Sequence, residues 1–270
     1  MLKRLRKFLL FLATIYVGVL LLLMVFEASL IYPAPVREAG DWEATWLTHE
    51  DVSFSSADGT TLHGWYCEHS HPRHTILFCH GNGEHVAYLA EELDFFRQRF
   101  QANVFAFDYR GYGKSVGRPH EAGILADGEA AQRWLAERTG QPTHQIVIYG
   151  RSLGGAVAVH LAAKQGARAL VLDRTFSSMV DVAASHFPWL PVRLLLRNRY
   201  PSTSRISQYD GPLIQFHGEQ DEVVPFRFGK ALFDACPSTD KEFVESEPLF
   251  HNSPWPASYY DHLEKFLGSH

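Results

Sequence analysis

The pentapeptide Gly150-Arg151-Ser152-Leu153-Gly154 carries the strongest chemical signal in the chain. It closes an apolar run, 145–149, and opens an apolar helical pattern over 153–165. A strand-to-helix turn of this kind lifts a serine hydroxyl from the carboxyl edge of a sheet and sets it at a helix N-terminus, where negative charge is favoured. The same letters also fit a plain glycine-rich turn; the strand before and the helix after favour a nucleophile. His80-Gly81-Asn82-Gly83 directly follows another apolar run, 74–79. Its turn can leave main-chain N–H groups pointing at the same edge. One of them, with the N–H of Leu153, would stabilise a developing oxyanion. His217-Gly218-Glu219-Gln220-Asp221-Glu222-Val223-Val224-Pro225 follows the run 212–216 and offers three acids. Asp221 is preferred, because Val223-Val224-Pro225 then turns the chain into the next helix; Glu219 and Glu222 read as solvated. His251 follows the run 241–246, and Ser253-Pro254 reads as the cap and first residue of the last helix.

Ser152, Asp221 and His251 thus occur in the chain order nucleophile, acid, base. A serine hydroxyl is too weak an acid to attack unaided. His251 would take its proton and later pass it to the leaving group, with Asp221 fixing the imidazole tautomer. This chemistry needs no cofactor and no metal. The sequence holds 15 His, so a lone one says little. His262, inside the last helical pattern, and His270, at the chain end, are poor bases, and His63, His69, His71 and His74 do not match a zinc spacing.

Elements must bring these loops to one edge. Strand-like runs recur at 51–56, 61–67, 74–79, 102–107, 145–149, 168–172, 212–216 and 241–246. The first two flank the turn signal Ala57-Asp58-Gly59-Thr60 and predict an antiparallel hairpin. From residue 74 onward strands alternate with helical patterns at 85–99, 121–138, 153–165, 226–235 and 255–267. Strands apolar on both faces belong to a mostly parallel sheet covered by helices. The fold class is therefore α/β, with about eight strands, an antiparallel N-terminal hairpin, and an interruption at 174–210 that reads as a short cap.

The 270 residues suffice for one large domain, and three Cys exclude a disulfide scaffold. The net charge of −5 argues against nucleic acid as a partner. That charge is unevenly spread. Residues 1–7 carry Lys3, Arg4, Arg6 and Lys7, and residues 8–26 carry none. Nineteen uncharged residues span roughly 28 Å as a helix, about one bilayer core. A cleaved signal sequence would have a shorter apolar core and small residues at its cleavage site. The expected organisation is a basic tip (1–7), a transmembrane anchor (8–26), a juxtamembrane linker (27–50) and a catalytic domain (51–270). Between Glu27 and Asp51 the only basic residue is Arg37. The tip should therefore stay in the cytoplasm and the domain lie on the other side, the periplasm in a bacterium. Without the four tip cations the formal charge of −5 becomes −9, so the exported part should not bind anionic surfaces by charge.

Taken together, His80-Gly81-Asn82-Gly83, Asp108-Tyr109-Arg110-Gly111-Tyr112-Gly113-Lys114-Ser115, the Ser152 pentapeptide, His217-Gly218 with Asp221, and His251-Asn252 resemble the serine-aminopeptidase-like branch of the α/β-hydrolases. That branch includes acylglycerol lipases, lysophospholipases, depalmitoylases and membrane-anchored relatives. The resemblance implies an α/β-hydrolase fold, Ser152, Asp221 and His251 as triad, and the backbones of Leu153 and Asn82 as oxyanion donors. It implies that Asp108 and Arg110 pin loops. The apolar cap stretch Phe187–Arg197, with interspersed Arg, suits an acyl chain as well as ordinary packing. The expected activity is cleavage of carboxylic esters or thioesters with a lipid-like acyl group. A peptidase or amidase of the same mechanism is the alternative. An idle binding protein is the reading from another class, although no triad position is lost.

Overall fold

The computed structural model describes residues 1–35, 38–246 and 248–270; Arg37, used in the charge comparison, lies outside the described residues. The chain begins with two helices, α1 (Leu2–Val25) and α2 (Glu27–Ile31). Strands β1 (Glu50–Ser55), β2 (Thr61–Cys67) and β3 (His74–Cys79) follow, then α3 (Ala90–Arg99), β4 (Ala102–Asp108) and α4 (Glu121–Thr139). The middle of the chain forms β5 (Val147–Arg151), α5 (Leu153–Gln165) and β6 (Ala169–Asp173). Three short helices come next, α6 (Met179–His186), α7 (Val192–Leu195) and α8 (Ser202–Ile206). The chain ends with β7 (Leu213–Gly218), α9 (Phe226–Ala235), β8 (Lys241–Ser246) and α10 (Ala257–Ser269).

The eight strands form one sheet in the order β1-β2-β4-β3-β5-β6-β7-β8. β2 pairs antiparallel with β1 and with β4, and every later pairing is parallel. The alternation explains the two-sided core. Leu77 and Ile148 face one apolar cluster with α4 and α5, while Ile76, Phe78 and Tyr149 face another with α3 and α10. Burying such a side chain contributes about 1.5–3 kcal/mol. Because β4 lies on one side of β3 and β5 on the other, chain direction around the sheet reverses at β3/β5. The carboxyl ends of those two strands therefore open onto a crevice.

Several sequence expectations shift. The strand expected at 145–149 runs from Val147 to Arg151, since Thr143–Gln145 closes a 3-10 turn. The helix expected over 85–99 splits into a 3-10 turn, Val86–Tyr88, and α3, because the Val86 N–H is drawn to the Asp108 carboxylate at 2.9 Å. Ser253-Pro254 does not start the last helix, which begins after Pro256. Ser253 Oγ instead accepts from the Phe250 N–H at 3.2 Å. The cap region resolves into α6 to α8, kept short by Pro188, Pro191 and Pro201.

At the N-terminus, α1 already includes the basic tip, because nothing in residues 2–7 breaks a helix. Its 24 residues are long and apolar enough to cross a membrane. Within 27–50, Tyr32, Ala44 and Leu47 join the cores and Glu27 is only 5% exposed, so these four residues are packed onto the domain.

Candidate active site

β5 ends in a sharp elbow. Ser152 has φ 52° and ψ −115°, a left-handed conformation that costs a residue with a side chain about 1–3 kcal/mol. The turn is held from both sides. Ser152 N–H donates to Asp173 O at 2.8 Å, and Thr175 Oγ1 donates to Ser152 O at 2.8 Å. A Cβ on Gly154 would overlap the carbonyl oxygens of Cys79 and His80, where β3 runs into the neighbouring turn. Gly154→Ala should therefore destabilise the protein by about 1–3 kcal/mol in urea titrations. Gly268→Ala, in open space on α10, should be neutral or slightly stabilising. Equal midpoints for the two variants would contradict this steric account.

The loops after β7 and β8 meet the elbow. His251 Nε2 lies 3.1 Å from Ser152 Oγ, and His251 Nδ1 lies 2.7 Å from Asp221 Oδ2. Of the three acids in the β7 loop, Asp221 alone is buried and reaches the imidazole; Glu222 is exposed and accepts from the His251 backbone N–H at 3.2 Å. Asp221 Oδ1 accepts from the N–H groups of Val223 (3.0 Å) and Val224 (2.7 Å). Burial works against its charge. Hydrogen bonds from His217, His251 and Val224 N–H, and the nearby His251, nonetheless hold its carboxyl well below the usual carboxylate range.

The turn after β3 faces the elbow. Its Gly81 N–H is taken by Glu84 Oε2 at 2.7 Å. Asn82 is fixed through its side chain: Nδ2 donates to Ile31 O at 2.5 Å and Oδ1 accepts from Tyr112 OH at 2.6 Å. The Asp108–Ser115 loop does pin its surroundings. Asp108 accepts from the N–H groups of Val86 and Lys114, Tyr109 OH donates to His80 O, and Arg110 pairs with Asp127 and Asp58. His63 lies between Asp51 and Asp108.

Sequence reasoning missed three supports. Arg151, inside the pentapeptide, pairs with Glu84 at 2.8 Å and Glu92 at 2.9 Å, bracing the elbow against the Asn82 turn. Burial disfavours the guanidinium charge, but the carboxylates of Glu92 and Glu84 more than offset this. Opposite charges in two glycine-rich turns were the available signal. Arg174 donates to His251 O (2.6 Å) and Ser253 O (2.8 Å), holding the His251 loop. The third is the N-terminal segment itself. A cavity of about 690 Å³ opens above Ser152 and His251, and its walls include Leu20, Leu23 and Met24 of α1, Ile31 of α2, and Met179 and Leu190 of the cap. The three cysteines are buried free thiols, and burial pushes Cys67 up to about 12.

A mostly parallel eight-stranded sheet with a serine elbow at its switch point defines an α/β-hydrolase. The family described as serine aminopeptidase, S33, matches residues 70–206. An uncharacterized protein of Mycobacterium tuberculosis is 36% identical, covering 88% of this chain and 84% of its own length. The α/β hydrolase domain-containing protein WAV2 of Arabidopsis thaliana is 33% identical over 77% of this chain and 74% of its own. Among solved structures, an esterase of Pyrococcus furiosus superposes with a TM-score of 0.73 at 20% identity, covering 87% of this chain and 98% of the esterase. The chain belongs to the serine aminopeptidase (S33) family of α/β-hydrolases, which makes it a serine hydrolase.

Proposed function

We propose that the protein hydrolyses carboxylic esters or thioesters with lipid-like acyl groups, with Ser152 as nucleophile, His251 as general base and acid, and Asp221 as its partner. The observation that carries this reading is the unbroken chain Asp221–His251–Ser152, at 2.7 and 3.1 Å, opening on a largely aliphatic cavity. In the first step Ser152 Oγ attacks the carbonyl carbon as its proton passes to His251 Nε2. The oxyanion rests on the N–H groups of Leu153 and Asn82, each worth about 2.7–4 kcal/mol in the transition state. The imidazolium then protonates the departing alkoxide or thiolate, leaving an acyl-Ser152. Water, deprotonated by His251, releases the acid by the reverse sequence.

Amide cleavage at a free amino terminus would ask for a carboxylate to hold the α-ammonium group. Among the described residues the carboxylates lining the cavity are Glu27 and Glu84, and both are engaged, by Arg197 with Asn198 and by Arg151. Ester preference follows. The protein should turn over p-nitrophenyl esters, best at medium or long chain length, and leave aminoacyl nitroanilides nearly untouched; faster nitroanilide turnover would reverse the assignment.

The same reading places α1 across a bilayer with its basic start in the cytoplasm and the catalytic domain on the other side. A phosphatase reporter fused after His270, of a kind that folds only outside the cytoplasm, should be active. An inactive phosphatase paired with a fluorescent cytoplasmic reporter at the same position would overturn this orientation.

A further inference from the structure

We propose that the N-terminal helix is a working wall of the substrate cavity: Leu20, Leu23 and Met24 set the acyl-chain length accepted at Ser152, and Glu27 is the latch that holds them there. The inference rests on the ester-hydrolase reading and deepens it. Residues 20, 23 and 24 recur at i, i+3 and i+4 on α1, which puts them on one helix face, and Glu27 opens α2 just beyond the bend at Phe26. That face is partly covered, whereas Leu21, Leu22 and Val25 are 57%, 59% and 74% exposed. The covered face lines the same cavity as Ser152 and His251, opposite the cap residues Met179, Val182 and Leu190.

A tether alone needs no such attachment. Here the attachment is dense and polar. Glu27 Oε1 accepts from the backbone N–H groups of Arg197 (3.0 Å) and Asn198 (2.9 Å) and from Asn198 Nδ2 (2.7 Å), while Oε2 accepts from Arg197 Nε at 3.1 Å. The Arg197 guanidinium also donates to Met24 O at 2.5 Å. A second clamp stands further up the helix, where Tyr16 OH donates to Trp189 O at 3.0 Å. A third lies below it. Tyr32 OH meets Asn198 Oδ1 at 3.0 Å and Tyr200 OH at 2.8 Å, and Ile31 O is held by the Asn82 side chain. The segment leaving the membrane helix is thus fixed to the cap and to the turn beside the nucleophile. An acyl chain bound at Ser152 would run up between α1 and the cap, whose Phe187, Trp189 and Leu194 are exposed. The substrate class is therefore an acyl ester drawn from the bilayer.

The test uses the full-length protein in detergent micelles, with p-nitrophenyl acetate, octanoate and palmitate as probes. Leu23→Trp and Met24→Trp fill the cavity and should lower the octanoate-to-acetate ratio of kcat/KM at least about tenfold, the effect of removing two or more buried methylenes. Leu23→Ala and Met24→Ala enlarge it and should move the preference towards palmitate, so the sign of the shift guards against a folding artefact. Leu22→Trp, on the opposite face, should keep the wild-type ratio. Glu27→Gln should raise KM for octanoate several-fold with a smaller change in kcat, as expected for a residue that positions a binding wall. Wild-type ratios in all the inward variants would overturn the wall while leaving the ester-hydrolase reading intact, as would an equal loss in Leu22→Trp. A wild type that cleaves no ester of any length would remove both.

Discussion

Replacing Ser152 by Ala is expected to lower kcat/KM for a p-nitrophenyl ester by at least about 10⁴-fold. The loss should be chemical and not structural. The elbow is held by Ser152 N–H on Asp173 O and by Thr175 on Ser152 O, both backbone groups of residue 152 that alanine retains. The hydroxyl itself meets His251 Nε2, so its removal leaves one partly buried imidazole nitrogen without that partner. The thermal midpoint should accordingly move by no more than a few degrees. The residual rate would come from the main-chain donors and from binding alone. A variant that kept a tenth or more of wild-type turnover would show that another group attacks the ester.

Asp221→Asn should cost about 10⁴-fold in kcat, and the geometry gives the reason. Two N–H groups, from Val223 and Val224, point at Oδ1, so an asparagine must turn its carbonyl oxygen towards them. Its amide NH₂ then faces His251 Nδ1, where Asp221 Oδ2 now accepts at 2.7 Å. Nδ1 becomes the acceptor, the ring proton moves to Nε2, and the ring donates to Ser152 instead of taking its proton. The substitution also removes a pH-dependent contribution to stability. The folded Asp221 binds its proton more weakly than the unfolded residue, whose ordinary value is 3.8. Its contribution is complete well above pH 3.8 and is lost as pH falls through the lower folded value. In acid unfolding the wild type should therefore lose stability on acidification more steeply than Asp221→Asn. Parallel acid limbs, or kcat within tenfold of wild type, would contradict the assigned role.

The motif residues were legible because each is a strand end followed by a turn. Hydrophobic runs locate strand ends well, and strand ends in a parallel sheet share one edge. That reasoning brought the turn 80–83 and residues 152, 221 and 251 to one edge, and the family resemblance singled out Asn82 within its turn. The hairpin at 57–60 was legible for the same local reason. The supports were not. The Arg151–Glu84 pair joins residues 67 apart, and Arg174 reaches the His251 loop 77 residues away. Nothing local announces the Arg174 contact, and the Arg151–Glu84 pair shows only as opposite charges in two distant glycine-rich turns. Glu27 misled in an instructive way. An acid closing an uncharged run reads as the water boundary of a membrane helix, and nothing local announces that it will be buried. Its burial against Arg197 and Asn198 depends on a cap whose fold is set by prolines and tertiary packing.

A fluorophosphonate probe, followed by proteolysis and mass spectrometry of the full-length protein, should place one phosphonyl group on the peptide bearing Ser152 and none on Ser152→Ala. Equal labelling of the two proteins, or an adduct on another residue, would contradict Ser152 as the nucleophile.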